Sequence, residues 1–436
     1  MRKTKIVCTL GPASTTYDQI KKMALAGMNV ARINMSHGTY EEHQQRVDNV
    51  KKVRRNLGVP IPIMVDTKGP EVRIGTFRDG KIEVKEGMPF DFVAEDVVGD
   101  ETKVSITYKE LYKDIRENGT ILLNDGLLMF RITGIDGTTI HTEAQNSGTL
   151  SDRKGLFVPN AKLNMPFLSE QDKKDLEYGI KIGAEMYALS FVQDGDCVRE
   201  VRKFMIDHGA KDVCLISKIE SQSGLDNIDD IISASDGVMV ARGDLGVDVS
   251  LELAEIVDVA NAVYDGSSCV MLSAESAVGI NPSNTIATMA RIAEEAERNI
   301  DYKQMYTASP FTLMNNTDAI SHATVNTAFD INAKAIVVYT ARGASARMVS
   351  RFRPGAPIVA MTNSDRVYNQ LATSWGVIPV ICQTFDNTDD MFINAEEVVK
   401  RLGLAKAGDN IVITAGVPLG KNVGTNLIKV GSVEEF

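Results

Sequence analysis

Several common features are missing from this chain. No Cys-x-x-Cys pair occurs, and the five cysteines (Cys8, Cys197, Cys214, Cys269 and Cys382) are scattered, four of them in apolar or strand-like contexts. That pattern reads as buried free thiols of a reducing compartment. No stretch approaches a run of about 18 consecutive apolar residues, the length a membrane span would need. The first residues lead straight into a strand. Neither a signal peptide nor a span is therefore expected, and the cytoplasm is the plain reading. Positive charge is in deficit: the formal net charge is −11. Nucleic acid and an anionic membrane are accordingly not expected as main partners. An anionic small substrate stays open, because a local cluster of Lys, Arg and metal decides that. Gly-x-Gly-x-x-Gly is absent after the first strand, so no dinucleotide site is expected.

What remains is a chain of 436 residues, 44% of them apolar, long enough for two or three domains and a large core. Strand-like runs at 5–10, 29–35 and 62–66, and again at 186–191, 213–219, 237–241 and 269–273, alternate with amphipathic helices such as 17–25 and 41–57. This is the βαβα signature of a parallel sheet, and apolar runs that repeatedly end in polar residues favour a closed barrel. Between these regions, at 71–160, short alternating strands are split by Asp79-Gly80, Glu86-Gly87, Asp125-Gly126 and Asp136-Gly137. An inserted small all-β barrel is expected there, hinged on two adjacent linkers as a lid. A smaller C-terminal α/β sheet is expected from strands at 335–340, 357–361, 377–381, 410–414 and 426–430. The expected division is 1–70 with 161–302 for the barrel, 71–160 for the lid and 303–436 for the third domain.

Glu220 and Asp244 are the most informative pair. Each ends a β-branched apolar run, and they lie 24 residues apart. That spacing is roughly one β/α unit of a barrel of about 250 residues. Neighbouring parallel strands would present Lys218, Glu220, Arg242 and Asp244 on one rim. Two carboxylates beside an ammonium suit a hard divalent cation holding a phosphate or enolate oxygen. The bland alternative is a pair of surface salt bridges. In Val30-Ala31-Arg32-Ile33-Asn34-Met35-Ser36-His37-Gly38, alternation puts Arg32, Asn34 and Ser36 on one face, with Arg32 suited to a phosphoryl group. With Asp66 and Thr67 after the third strand, Asn34 and Ser36 form an oxygen set for a large monovalent cation. His37, with no second His near it, is as well a turn cap as a ligand. Two Ser/Thr/Gly-rich turns, 340–346 with Thr340, Arg342, Gly343 and Ser345, and 416–425, are suited to a phosphate or simply cap helices.

Taken together these stretches resemble pyruvate kinase over nearly the whole chain. The resemblance rests on Lys5-Ile6-Val7-Cys8-Thr9-Leu10-Gly11-Pro12-Ala13-Ser14, Arg32 to Gly38, Asp66 to Arg73, Lys218-Ile219-Glu220, Met239 to Gly246 and Met271-Leu272-Ser273-Ala274-Glu275. It implies phosphoryl transfer from phosphoenolpyruvate to ADP, giving pyruvate and ATP. Arg32 would hold the substrate phosphate, and Lys218 would stabilise the phosphoryl group in transit and the enolate oxygen. Glu220 and Asp244 would bind Mg²⁺ or Mn²⁺, and Asn34, Ser36, Asp66 and Thr67 would bind K⁺. Glu71 looks like the residue of the K⁺-dependent subgroup. Arg73 and Lys154, alongside Asn34 and His37, would contact nucleotide phosphates. The backbone around Gly243 and Asp244 would receive the substrate carboxylate, and Ser273 and Glu275 would order water for enolate protonation. A phosphorylated allosteric effector at the 340–346 turn and a homotetramer are also implied.

The resemblance breaks once. After Glu255-Ile256 the chain runs directly into Val257, where the family has a helix, a seventh strand and an Ala-Thr-Gln-Met loop between these two segments. Roughly forty to fifty residues are missing, rather more than one average β/α unit. The remaining residues are expected to merge into one helix capped by Ser250. The expected fold is therefore a parallel (β/α) barrel lacking about one unit, and its catalysis is expected to be impaired. Two rivals accompany this reading: a non-catalytic, effector-binding family member, and a metal-dependent enolpyruvate lyase or aldolase.

Overall fold

Strand β1 (Lys5–Thr9) is buried at every position, as a parallel strand covered on both faces should be. A helix at Tyr17–Ala26 follows, opened by a Thr16–Gln19 capping box and closed by Gly27 in the left-handed region. Strand β2 (Val30–Asn34) leads to the helix Tyr40–Leu57, with a Thr39–Glu42 box and Gly58 as its left-handed cap. Strand β3 (Ile63–Asp66) is again fully buried. The computed structural model describes residues 2–124, 126–159, 161, 163–241, 259–421 and 423–435.

A segment of strands, with one short helix at Leu111–Asp114, interrupts the alternation. It comprises β4 (Val72–Arg73), β5 (Lys81–Val84), β6 (Pro89–Val93), β7 (Lys103–Ser105), β8 (Thr120–Leu123), β9 (Leu128–Asp136), β10 (Thr139–Ala144), β11 (Gly148–Ser151) and β12 (Gly155–Phe157). Seven of these strands run in the order β4-β12-β8-β9-β10-β6-β7, and an Ile74–Ile106 bridge brings the two ends together into a small barrel. Burial alternates strictly along β10, so one face fills the interior. There Phe90, Phe92 and Phe130 meet with ring centroids 5.4–5.7 Å apart.

The α/β alternation resumes with β13 (Met186–Leu189), β14 (Cys214–Ile219), β15 (Gly237–Val240) and β16 (Cys269–Leu272). The parallel sheet has seven strands in the order β15-β14-β13-β3-β2-β1-β16, the number the sequence led us to expect. Among the described residues no strand joins β15 to β16, so the barrel is incompletely closed. β13 is buried throughout, whereas Val238 and Val240 on β15 are 41% and 59% exposed. The expected helix from Ser250 onward falls mostly outside the described residues; a helix at Val259–Tyr264 is described.

Residue contacts divide the chain into two compact units: Met1–Ile33, Gly38–Met64 and Val257–Phe436 form one, and Asn34–His37 with Val65–Ile256 the other. The first unit also holds a five-stranded sheet, β17 (Ala335–Tyr339), β18 (Ile358–Thr362), β19 (Val377–Ile381), β20 (Asn410–Ala415) and β21 (Leu427–Ser432), in the order β19-β18-β17-β20-β21. All its pairings are parallel except β20 with β21. Alternate residues of β17 enter two different cores, Ile336 and Val338 one, Ala335 and Val337 the other. Both faces of this sheet are thus covered. No described helix is long and apolar enough to cross a membrane.

Candidate active site

In the second unit, parallel strands place their C-terminal residues side by side. The Thr67 N–H donates to the Ala188 carbonyl at 3.0 Å, which aligns the end of β3 with the end of β13. β13 pairs with β14 in register, Leu189 opposite Ser217. Lys218, near the end of β14, is 7% exposed, and its ammonium sits among three oxygens. Its Nζ donates to Ser190 Oγ at 2.8 Å and lies 2.8 Å from Glu220 Oε1 and 3.4 Å from Asp66 Oδ1. Glu220 and Asp66 are each only 1% exposed. Buried carboxylates of this kind need a paired cation, and Lys218 supplies it.

Two residues absent from the sequence reading complete the cluster. Ser190 Oγ accepts from Lys218 and donates to the Thr67 carbonyl at 2.7 Å. The Phe191 N–H donates to Glu220 Oε2 at 2.7 Å. The run 186–191 was expected to be one strand, but β13 stops at Leu189 because Phe191 has φ +56°. Position is the signal that points to them: in this fold class the residues just past a strand's C-terminal end face the site.

A second expectation is also corrected. Arg32, Asn34 and Ser36 do not share one continuous strand face, because β2 ends at Asn34. The Asn34 side chain accepts the Ser36 N–H at 3.0 Å, an Asx turn that terminates the strand. Ser36 therefore sits on that turn, and His37 after it is exposed. The Met35 N–H reaches the Asp66 carbonyl at 3.0 Å, so this turn borders the end of β3. Asn34, Ser36, Asp66 and Thr67 offer only oxygen ligands from side chains and carbonyls, which fits a hard cation. Among the described residues no group of three or more His, Cys, Asp and Glu gathers as a metal cluster. Arg242, Gly243 and Asp244 lie outside the described residues.

On the lid side, the Arg73 Nε bonds Glu71 at 2.8 Å and its Nη1 the Arg153 carbonyl at 2.8 Å. Arg73 lines a cleft of about 480 Å³ with Lys68 and Arg153, two cations the sequence reading did not select. Lys154 is half-buried, and its carbonyl accepts the Ile74 N–H. Lys154 does not line that cleft.

In the first unit, Arg32 is buried and its Nη1 donates to Thr9 Oγ1 at 2.6 Å, directly across the β1–β2 register. Thr9 in turn donates to the Leu272 carbonyl at 3.0 Å. Ser273 and Glu275 follow β16 and are exposed, with the Ser273 N–H on the Glu275 carboxylate at 3.0 Å. In the C-terminal sheet, Thr340 Oγ1 accepts the Gly343 N–H at 3.0 Å, and Gly343 takes φ +82° before the helix Ala344–Arg351. The Thr425 hydroxyl donates to Ser345 Oγ at 2.6 Å, so the two hydroxyl-rich turns form one feature. Arg342 is exposed beside them.

Two family models match the chain. Residues 1–254 and 251–286 match the model described as pyruvate kinase, barrel domain, and residues 318–431 the one described as pyruvate kinase, alpha/beta domain. The chain belongs to the pyruvate kinase family. A pyruvate kinase of Clostridium acetobutylicum is 40% identical over 473 aligned positions, spanning all of both chains. One of Bacillus licheniformis is 40% identical over 99% of this chain and 80% of its own length. The crystal structure of a pyruvate kinase from Cryptosporidium parvum superposes with a TM-score of 0.93 at 32% identity, covering 99% of this chain and 96% of that one. The barrel match is broken in two at 251–254, and the alignment to the Clostridium acetobutylicum pyruvate kinase exceeds the 436 residues present. Both agree with a segment absent next to Glu255. Neither the lyase nor the non-catalytic reading is favoured over pyruvate kinase.

Proposed function

We infer that this chain transfers the phosphoryl group of phosphoenolpyruvate to ADP and releases pyruvate, with Lys218 at the centre of the chemistry. One observation carries the assignment: an ammonium held between two buried carboxylates and the Ser190 hydroxyl, all within 3.4 Å. Such a preorganised cation stabilises charge that develops on a transferring phosphoryl group and on the enolate oxygen left behind. Arg32 binds the substrate phosphate. Arg73 and Lys154, with Asn34 and His37, hold the nucleotide phosphates; Lys68 and Arg153 add positive charge in the cleft that Arg73 lines. Gly243 and Asp244 receive the substrate carboxylate. Ser273 and Glu275 order the water that protonates the enolate at carbon. Glu220 and Asp244 would hold Mg²⁺ or Mn²⁺, and Asn34, Ser36, Asp66 and Thr67 would hold K⁺; these ions supply positive charge for the phosphoryl and enolate oxygens.

The wider reading follows the same lines. The paired turns at Thr340, Arg342, Gly343, Ser345 and Thr425 take a phosphorylated effector, supported by hydroxyls and a left-handed glycine at a helix start. The domains are 1–70 with 161–302, 71–160 and 303–436, and the protein works as a cytoplasmic homotetramer. The test of the central assignment is Lys218→Met. A loss of about 10²–10³-fold in turnover at saturating substrates is expected for removing such a donor. A variant that turns over within a few-fold of wild type contradicts it.

A further inference from the structure

Phe191 combines features that no reading of the phosphoryl-transfer machinery requires. Its backbone is left-handed at φ +56°, which strains a bulky residue and which glycine would adopt freely. Its N–H is committed to Glu220 Oε2 at 2.7 Å, a charge-assisted bond that fixes the carboxylate's second oxygen while the first faces Lys218. The preceding residue, Ser190, accepts a hydrogen bond from Lys218 at 2.8 Å. The Phe191 ring meets an aromatic partner. The ring centroid lies 6.1 Å from that of Phe157, tilted by 49°, and Phe157 belongs to β12 of the lid. Phe157 and Phe191 both line a cavity of about 310 Å³ that is also bordered by Glu220, Pro70 and Leu156.

A glycine at 191 would keep the N–H bond to Glu220 without strain. Retaining a phenylalanine there makes sense only if the ring itself does something, and its aromatic partner is on the lid. We propose that Phe191 is a positioning residue linking the Glu220 carboxylate to lid strand β12, so that a divalent cation at Glu220 and the seating of the lid change together. Any shift of the carboxylate toward a cation pulls on the Phe191 N–H. The rigid left-handed turn then carries that shift to the ring and to Phe157. This rests on the reading of Glu220 as a cation ligand.

The experiment uses the full chain with Mn²⁺ alone as probe. Mn²⁺ affinity is measured by electron paramagnetic resonance, and amide exchange at 155–158 by mass spectrometry with and without Mn²⁺, in wild type, Phe191→Gly, Phe157→Ala and Glu220→Gln. In wild type, Mn²⁺ should slow exchange in β12 several-fold. Phe191→Gly keeps the N–H bond to Glu220 and should still bind Mn²⁺, weakened by no more than the several-fold coupling it removes, yet lose that protection. Phe157→Ala, which leaves the Phe191 backbone untouched, should lose it too. Mn²⁺-dependent protection that persists in both variants, or is absent in wild type that binds Mn²⁺, overturns the proposal. Wild-type affinity in Glu220→Gln instead refutes Glu220 as a ligand, which is a separate failure.

Discussion

Replacing Ser190 by alanine removes one oxygen from the shell around Lys218 and leaves the other two. The ammonium keeps Glu220 at 2.8 Å and Asp66 at 3.4 Å, so it is not released. It loses the neutral acceptor that holds it away from a purely carboxylate environment. A hydrogen bond to a charged group is worth about 1.5–3 kcal/mol net. At about 1.4 kcal/mol per factor of ten, kcat should fall by roughly 10–100-fold if Lys218 must be held in place for the transition state. Stability should fall too, by about 1–3 kcal/mol, because the Thr67 carbonyl loses the Ser190 donor at 2.7 Å in a buried position. The assay is pyruvate formation coupled to lactate dehydrogenase at saturating phosphoenolpyruvate and ADP, beside a urea melt. The KM for ADP should not move, since Ser190 lines neither wall of the cleft with Lys68, Arg73 and Arg153. A variant that loses stability but keeps kcat within twofold would refute the reasoning and leave Ser190 as a packing residue.

The remaining predictions concern the gap, the effector and proton linkage. Inserting a family-like helix–strand–loop between Glu255 and Val257 should cover the exposed Val238 and Val240 and raise turnover by orders of magnitude; unchanged turnover in a folded variant contradicts it. Ser345→Glu should abolish the response to a phosphorylated effector while basal turnover stays near wild type. Loss of turnover at saturating substrate would mark the turn as structural. Lys5 donates to the Val377 carbonyl at 2.7 Å, and burial pushes its pKa down to about 8. Between that value and the unfolded pKa of about 10.4 the unfolded chain binds more protons, so Lys5 adds stability as pH rises through this window. The stability of wild type relative to Lys5→Met should therefore increase from pH 7 to pH 10 in urea melts, and a flat difference would refute it.

Much of the fold was legible because local chemistry and the hydrophobic pattern agree. The Thr16–Gln19 and Thr39–Glu42 boxes and the glycines at 27 and 58 bracket helices in the expected places. The Asp79-Gly80, Glu86-Gly87 and Asp136-Gly137 pairs mark turns of the lid, and the C-terminal strands match their apolar runs closely. The centre of the site was only half legible. Lys218 and Glu220 announce themselves as charges ending an apolar strand, and Asp66 does the same. Ser190 and Phe191 do not, because an apolar run containing an aromatic residue reads as more strand, and nothing local signals φ +56°. That conformation is imposed by tertiary contacts, with the Phe191 N–H on Glu220 and the ring against Phe157. Ser36 was misread for a related reason: alternation presumes the strand continues, and the Asn34 side chain ends it. Arg153 comes close to Arg73 only through the folding of the lid, so spacing along the chain carries no trace of their shared cleft.

The most direct measurement is ATP and pyruvate formation by the purified chain from phosphoenolpyruvate and ADP, run with Mg²⁺ and K⁺ together and with each omitted in turn. The account predicts equimolar pyruvate and ATP that require both substrates and both ions, at a rate that Lys218→Met removes. No product above the Lys218→Met background, or formation that proceeds equally well without divalent metal, would contradict it.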